Sequence, residues 1–215
     1  MSCCPEGSLG LAVTEDTKRT LSGVVDGKVY YAPPPAPSSA GVVVIYDVYG
    51  FSGGRIKSVC DAIASCGFHV CMPDIYDGTN LGEKGMFENP EAVAWLKGLT
   101  VWDVQGPLVA PAFEYLAQKG VTKFGAIGFC WGAYGVCKLA AEGKISAGVS
   151  CHPSLVIGKM FFDESEASQV EATKCPLAFL PAGNDPDHYK DGTLAKLVEK
   201  AGYERRVLGT IIVAI

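Results

Sequence analysis

The run Gly41-Val-Val-Val-Ile-Tyr46 is almost wholly apolar and rich in β-branched residues, which predicts a strand covered on both faces within a parallel sheet. Ahead of it lie two short β-rich stretches, around Val24 and from Lys28 to Tyr31, and a rigid proline-rich loop, Ala32 to Ser39. Behind it, Arg55 to Cys66 sets Ile56, Val59 and Ile63 at helical spacing and stops at Gly67, a residue suited to a helix end. Phe68 to Met72 reads as the next strand, closed by Pro73. The polar, glycine-rich loop that follows, Asp74 to Gly85, is long enough to carry function. Pro90 to Gly120 reads as one or two helices, with Pro107 and Pro111 marking a break or a fresh start. Lys123 to Ile127, Ile145 to Cys151 and Leu177 to Leu180 read as strands, and Trp131 to Glu142 as a helix. The order β-α-β-α-β-α-β-β-α predicts the α/β class, a doubly wound and mostly parallel sheet with right-handed crossovers. The length favours a single domain over 1–215.

Composition narrows the function classes. With 48% hydrophobic and 19% charged residues, the chain can bury one sizeable core. A formal net charge of −5 offers no basic stripe to displace counterions from phosphates, so no nucleic acid partner is expected. No run approaches the roughly 20 apolar residues that cross a bilayer, and the start lacks the basic-then-apolar order of a signal peptide. The expectation is a cytoplasmic protein without a membrane partner. The nine cysteines form no paired Cys-x-x-Cys knuckles and read as thiols, most of them small core residues. Cys3 and Cys4 read as exposed thiols of an N-terminal tail.

The chemistry gathers in Phe124-Gly-Ala-Ile-Gly128-Phe-Cys130-Trp-Gly132-Ala-Tyr-Gly135, where G-x-C-x-G stands between a strand and a helix. A nucleophile on so sharp a turn has a strained backbone, and small residues two before and two after it remove the side chains that would collide. The turn sets Cys130 at a helix N-terminus, where free amides and the positive dipole end favour a thiolate. The Trp131 N–H then supplies one oxyanion donor. Class I amidotransferases use a similar elbow, but the glutamine that usually follows theirs is replaced here by Ala133 and Tyr134.

Beyond the elbow, Tyr46-Asp47-Val48-Tyr49-Gly50, Met72-Pro73-Asp74-Ile75-Tyr76, and Cys175-Pro176-Leu-Ala-Phe-Leu180 with Gly183-Asn184-Asp185 together resemble the dienelactone hydrolase family over most of the chain. The start Ser2-Cys-Cys-Pro5 is similar to that of its eukaryotic members. The resemblance implies the α/β-hydrolase fold, Asp47 in contact with the resting cysteine, and the Val48 N–H as second oxyanion donor. It also implies Asp185 as the acid that orients a catalytic histidine, with Asp187 as the fallback. A strand-end Asp capping the turn is the competing reading of Asp47.

The chain departs from the family twice. Asp77-Gly78 stands where the family has an arginine that clamps a substrate carboxylate, which favours a neutral ester or lactone as substrate. The family's catalytic histidine, in a His-Gly-Phe segment beyond the last strand, has no counterpart: after Arg206-Val207 the chain runs Leu-Gly-Thr-Ile-Ile-Val-Ala-Ile215. Of the three histidines, His69 reads as a packed strand residue. His152 ends a core strand at the edge where the site forms, and His188 follows Asp185 on the same loop. His152 is the better substitute base and His188 the other. The expected function is hydrolysis of a small ester, thioester or lactone through Cys130, with no metal or organic cofactor and the oligomeric state left open. The competing reading is a catalytically impaired scaffold or thiol sensor.

Overall fold

The computed structural model describes residues 22–85, 87–200 and 205–207. Its strands are β1 (Gly23–Val25), β2 (Val29–Ala32), β3 (Ala40–Ile45), β4 (His69–Pro73), β5 (Lys123–Phe129), β6 (Ala147–Cys151), β7 (Leu177–Leu180) and β8 (Arg205–Val207). Among the described residues they form one sheet in the order β1-β2-β4-β3-β5-β6-β7-β8. β1 and β2 run antiparallel, and every pairing from β4 through β3, β5, β6 and β7 to β8 is parallel. This is the doubly wound, mostly parallel α/β sheet that the alternation predicts. In β3, Val43, Val44 and Ile45 are fully buried, because a central strand of such a sheet is covered on both faces.

The helices are α1 (Ile56–Ser65), α2 (Pro90–Thr100), α3 (Trp102–Gln118), α4 (Gly132–Ala141), α5 (Val156–Phe162), α6 (Glu166–Glu171), α7 (Asp187–Lys190) and α8 (Thr193–Lys200). α1 and α3 pack on β4, and α4 packs on β5 and β6. α1 buries Cys60, Asp61 and Ala64, and the Tyr30 hydroxyl donates to the Asp61 carboxylate. Gly67 ends the segment with φ +99°.

Two expectations need correction. The break between Pro90 and Gly120 falls at Val101, not at a proline: the Thr100 hydroxyl turns back onto the Leu96 carbonyl, Val101 is extended, and Pro107 and Pro111 lie inside α3. The intrahelical bonds lost to these prolines belong to the carbonyls of Asp103 and Pro107, both exposed residues within reach of solvent donors, which lowers the cost of the lost bonds. The chain also does not pass directly from β6 to β7. α5 and α6 intervene, and at seven and six residues they are too short for a helical period to stand out. Cys3, Cys4 and the apolar ending Leu208 to Ile215 lie outside the described residues.

The parallel direction of β3, β5, β6 and β7 puts their carboxyl ends on one edge of the sheet. Val48, Cys130, His152 and Asp185 each follow one of those ends within a few residues. Among the described residues no helix is long and apolar enough to cross a membrane.

Candidate active site at the carboxyl edge of the sheet

Cys130 sits where β5 passes into α4, with φ +51°. That left-handed conformation costs a non-glycine residue roughly 1–3 kcal/mol, so the surroundings must enforce it. Two glycines let the turn close. A Cβ on Gly128 would stand 2.4 Å from the Gly132 carbonyl oxygen, and one on Gly132 would stand 2.1 Å from the Ile45 carbonyl oxygen. The second approach draws the first turn of α4 onto the end of β3, so the Trp131 N–H and the loop carrying the Val48 N–H lie on the same edge. Within the described residues neither amide has an acceptor.

The loop after β6 is laced to the elbow. The Cys130 N–H donates to the Cys151 carbonyl at 2.9 Å, and the Ser154 N–H donates to the Cys130 carbonyl at 3.2 Å. His152 therefore lies between two residues bonded to the main chain of Cys130. The Ser154 hydroxyl reaches the sulfur itself, Oγ to Sγ 3.3 Å. His152 has φ +49°, and its N–H donates to the Leu180 carbonyl at the end of β7, which turns the ring toward the β7 loop. There Nδ1 stands 2.7 Å from Asp185 Oδ1, with both side chains buried. Asp185 Oδ2 accepts the Ala182 N–H at 2.7 Å, which holds the carboxylate in its own turn.

The other candidates lie in different settings. Asp47 Oδ1 accepts the Tyr49 N–H at 2.8 Å, so it caps the turn that carries Val48. His188 Nε2 is 2.7 Å from Glu166 Oε2 on α6, and Asp187 pairs with Lys190, so neither is joined to Asp185. His69, at the amino end of β4, meets the Tyr31 hydroxyl through Nδ1 and the Ser38 carbonyl through Nε2, on the opposite edge of the sheet from Cys130. Asp185 thus meets a histidine that precedes it in the chain, not one that follows. Sequence reasoning missed Ser154; its only signal was its place in Ser150-Cys-His-Pro-Ser154, three residues from a strand end.

The Asp74 to Gly85 loop closes the β4 side. The Tyr46 hydroxyl accepts the N–H groups of Ile75 and Tyr76, at 2.7 and 3.0 Å, and donates to Asp74 Oδ1 at 3.0 Å. The Leu81 N–H donates to the Val48 carbonyl at 2.9 Å, which pins the loop to the one bearing the Val48 amide. Burial pushes the thiols of Cys71, Cys137 and Cys151 up to about 12, so these stay protonated where a nucleophile must ionise. Among the described residues no group of three or more His, Cys, Asp or Glu is gathered to hold a metal ion.

Comparison with known proteins places the chain in one family. The profile of the dienelactone hydrolase family matches residues 28–208. The hydrolase tropI of Talaromyces stipitatus is 30% identical over 197 residues, which cover 86% of this chain and 71% of that protein. The human carboxymethylenebutenolidase homolog is 27% identical over 164 residues, covering 74% of this chain and 61% of its own length. Among solved structures, a dienelactone hydrolase-like promiscuous phosphotriesterase from metagenomic libraries superposes with a TM-score of 0.61 at 19% identity, over 86% of this chain and 76% of that one. That likeness shows the fold.

Proposed function

The chain belongs to the dienelactone hydrolase family, whose members are hydrolases, and we propose that it cleaves a small ester, thioester or lactone with Cys130 as nucleophile. The observation that carries this reading is the buried contact of His152 with Asp185, on a loop bonded to the main chain of Cys130 on either side of the histidine. His152 is the histidine of the three that supports a base role, since His69 is engaged on the far edge and His188 on Glu166. Asp185 fixes the imidazole and stabilises the charge it gains on taking the thiol proton. The start of α4 favours the resulting thiolate, and Ser154 offers it a hydroxyl.

The thiolate attacks the substrate carbonyl, and the Val48 and Trp131 amides receive the oxyanion. The leaving alkoxide takes the proton from His152, and a thioester on Cys130 remains. His152 then draws a proton from water, which attacks the thioester and releases the acid. A carboxylate-bearing substrate is disfavoured, because Asp77 and Gly78 stand where an arginine clamp would be.

Steady-state hydrolysis of p-nitrophenyl acetate tests the reading. Sustained turnover is expected, abolished in Cys130→Ala and reduced on the order of 10³-fold or more in His152→Ala. A Cys130-dependent burst without turnover in the unaltered protein would mark an impaired enzyme, and turnover unchanged in Cys130→Ala would refute the mechanism.

A further inference from the structure

Tyr76 is 1% exposed, its ring edge-on to Tyr46 at 5.2 Å and tilted against Trp95 at 5.5 Å. Its backbone is fixed by the Tyr46 hydroxyl, one residue before Asp47 and two before Val48. Yet among the described residues its own hydroxyl has no hydrogen-bond partner. A buried hydroxyl without an acceptor destabilises a fold, and phenylalanine would give the same aromatic contacts without that penalty. Among the described residues the hydroxyl is thus left to serve an acceptor that arrives with a ligand. Burial, together with the charges of Asp47 and Cys130 nearby, pushes this phenol well above its ordinary value, so it keeps its proton and has it to donate.

We infer that the Tyr76 hydroxyl is a third donor to the reacting carbonyl oxygen, beside the Val48 and Trp131 amides, and so a catalytic residue; this rests on Cys130 being the nucleophile. When the thiolate pair forms the C–S bond, the carbonyl π pair moves onto oxygen, and Tyr76 shares its proton with that oxygen without giving it up. When the pair returns, the C–O bond to the leaving group breaks and the hydrogen bond to Tyr76 weakens. The donor thus acts on charge that exists only along the reaction, which makes it an effect on kcat more than on KM.

Tyr76→Phe tests this with two reagents that both modify Cys130. Acylation by p-nitrophenyl acetate passes through an oxyanion, whereas alkylation by iodoacetamide does not. The variant is expected to keep or raise the unfolding temperature, to acylate on the order of 10²-fold more slowly, and to be alkylated at the wild-type rate. The thionoester, whose sulfur is a weak acceptor, adds a readout that altered packing would not move: discrimination between oxygen and sulfur esters should shrink in Tyr76→Phe. Equal acylation by variant and wild type would overturn the assignment, as would equal slowing of acylation and alkylation. If the wild type shows no Cys130-dependent acylation at all, the reading of the nucleophile itself fails.

Discussion

Two histidine–carboxylate pairs lie in the same half of the molecule, His152 with Asp185 and His188 with Glu166, and both close to 2.7 Å. Distance does not separate them. The side chains of the first pair are 10% and 4% exposed, and those of the second 42% and 21%. The first also hangs from a left-handed residue fastened to β7 and flanked by bonds to the Cys130 main chain, whereas His188 projects from a four-residue helix. Burial strengthens the electrostatic coupling and prevents water from competing for the carboxylate. The strained backbone spends stability to fix the direction of one ring. The same imidazole–carboxylate pairing is therefore buried and fixed in direction in one place and half-exposed as a helix tether in the other.

Breaking the pairs separately should give the most unequal outcome. Asp185→Asn keeps the volume but removes the charge that orients His152, and p-nitrophenyl acetate turnover is expected to fall on the order of 10⁴-fold. A loss below about tenfold would mean that the buried pair is only structural. Burial also acts on thiols of the core. Cys71, Cys137 and Cys151 are held near 12 in the fold against an ordinary 9.0. Their folded value is the raised one, so their stability is fully present below pH 9 and is lost as the pH climbs toward 12. The unfolded chain ionises first, and each thiol removes up to about 1.4 kcal/mol per pH unit. Urea unfolding midpoints between pH 8 and 11 check this, and a flat profile would contradict it. The smallest effect belongs to the exposed pair. Glu166→Gln weakens the acceptor for His188 and for the Tyr189 hydroxyl, and should cost about 1 kcal/mol with turnover unchanged.

The mostly parallel α/β class and the elbow were legible because both follow from local pattern: an apolar β-branched run at Val42 to Ile45, and glycines two residues either side of Cys130. Gly128 and Gly132 are needed because a Cβ at either position would collide with a neighbouring backbone carbonyl, and this is the kind of constraint a spacing motif records. The partner of Asp185 was not legible in this way. The family pattern directs attention to a histidine after the acid, whereas the contact made is to His152, thirty-three positions earlier, through the adjacency of β6 and β7. Nor does any residue type announce that His152 adopts positive φ, since only glycine makes that visible in a sequence. The break at Val101 was misplaced on Pro107 and Pro111 because proline's penalty inside a helix depends on whether water reaches the carbonyls it strands, and exposure is a tertiary property. Asp47 was read both as a neighbour of the cysteine and as a turn cap, and the cap to Tyr49 is present in the fold.

The central claim is that Cys130 carries the acyl group and His152 releases it. Rapid-quench mass spectrometry after mixing with p-nitrophenyl acetate follows both steps on one peptide. An acetyl group should appear on Cys130 and decay in the unaltered protein, and in His152→Ala it should form slowly and then persist. An acetyl group absent from Cys130, or lost equally fast without His152, would contradict the account.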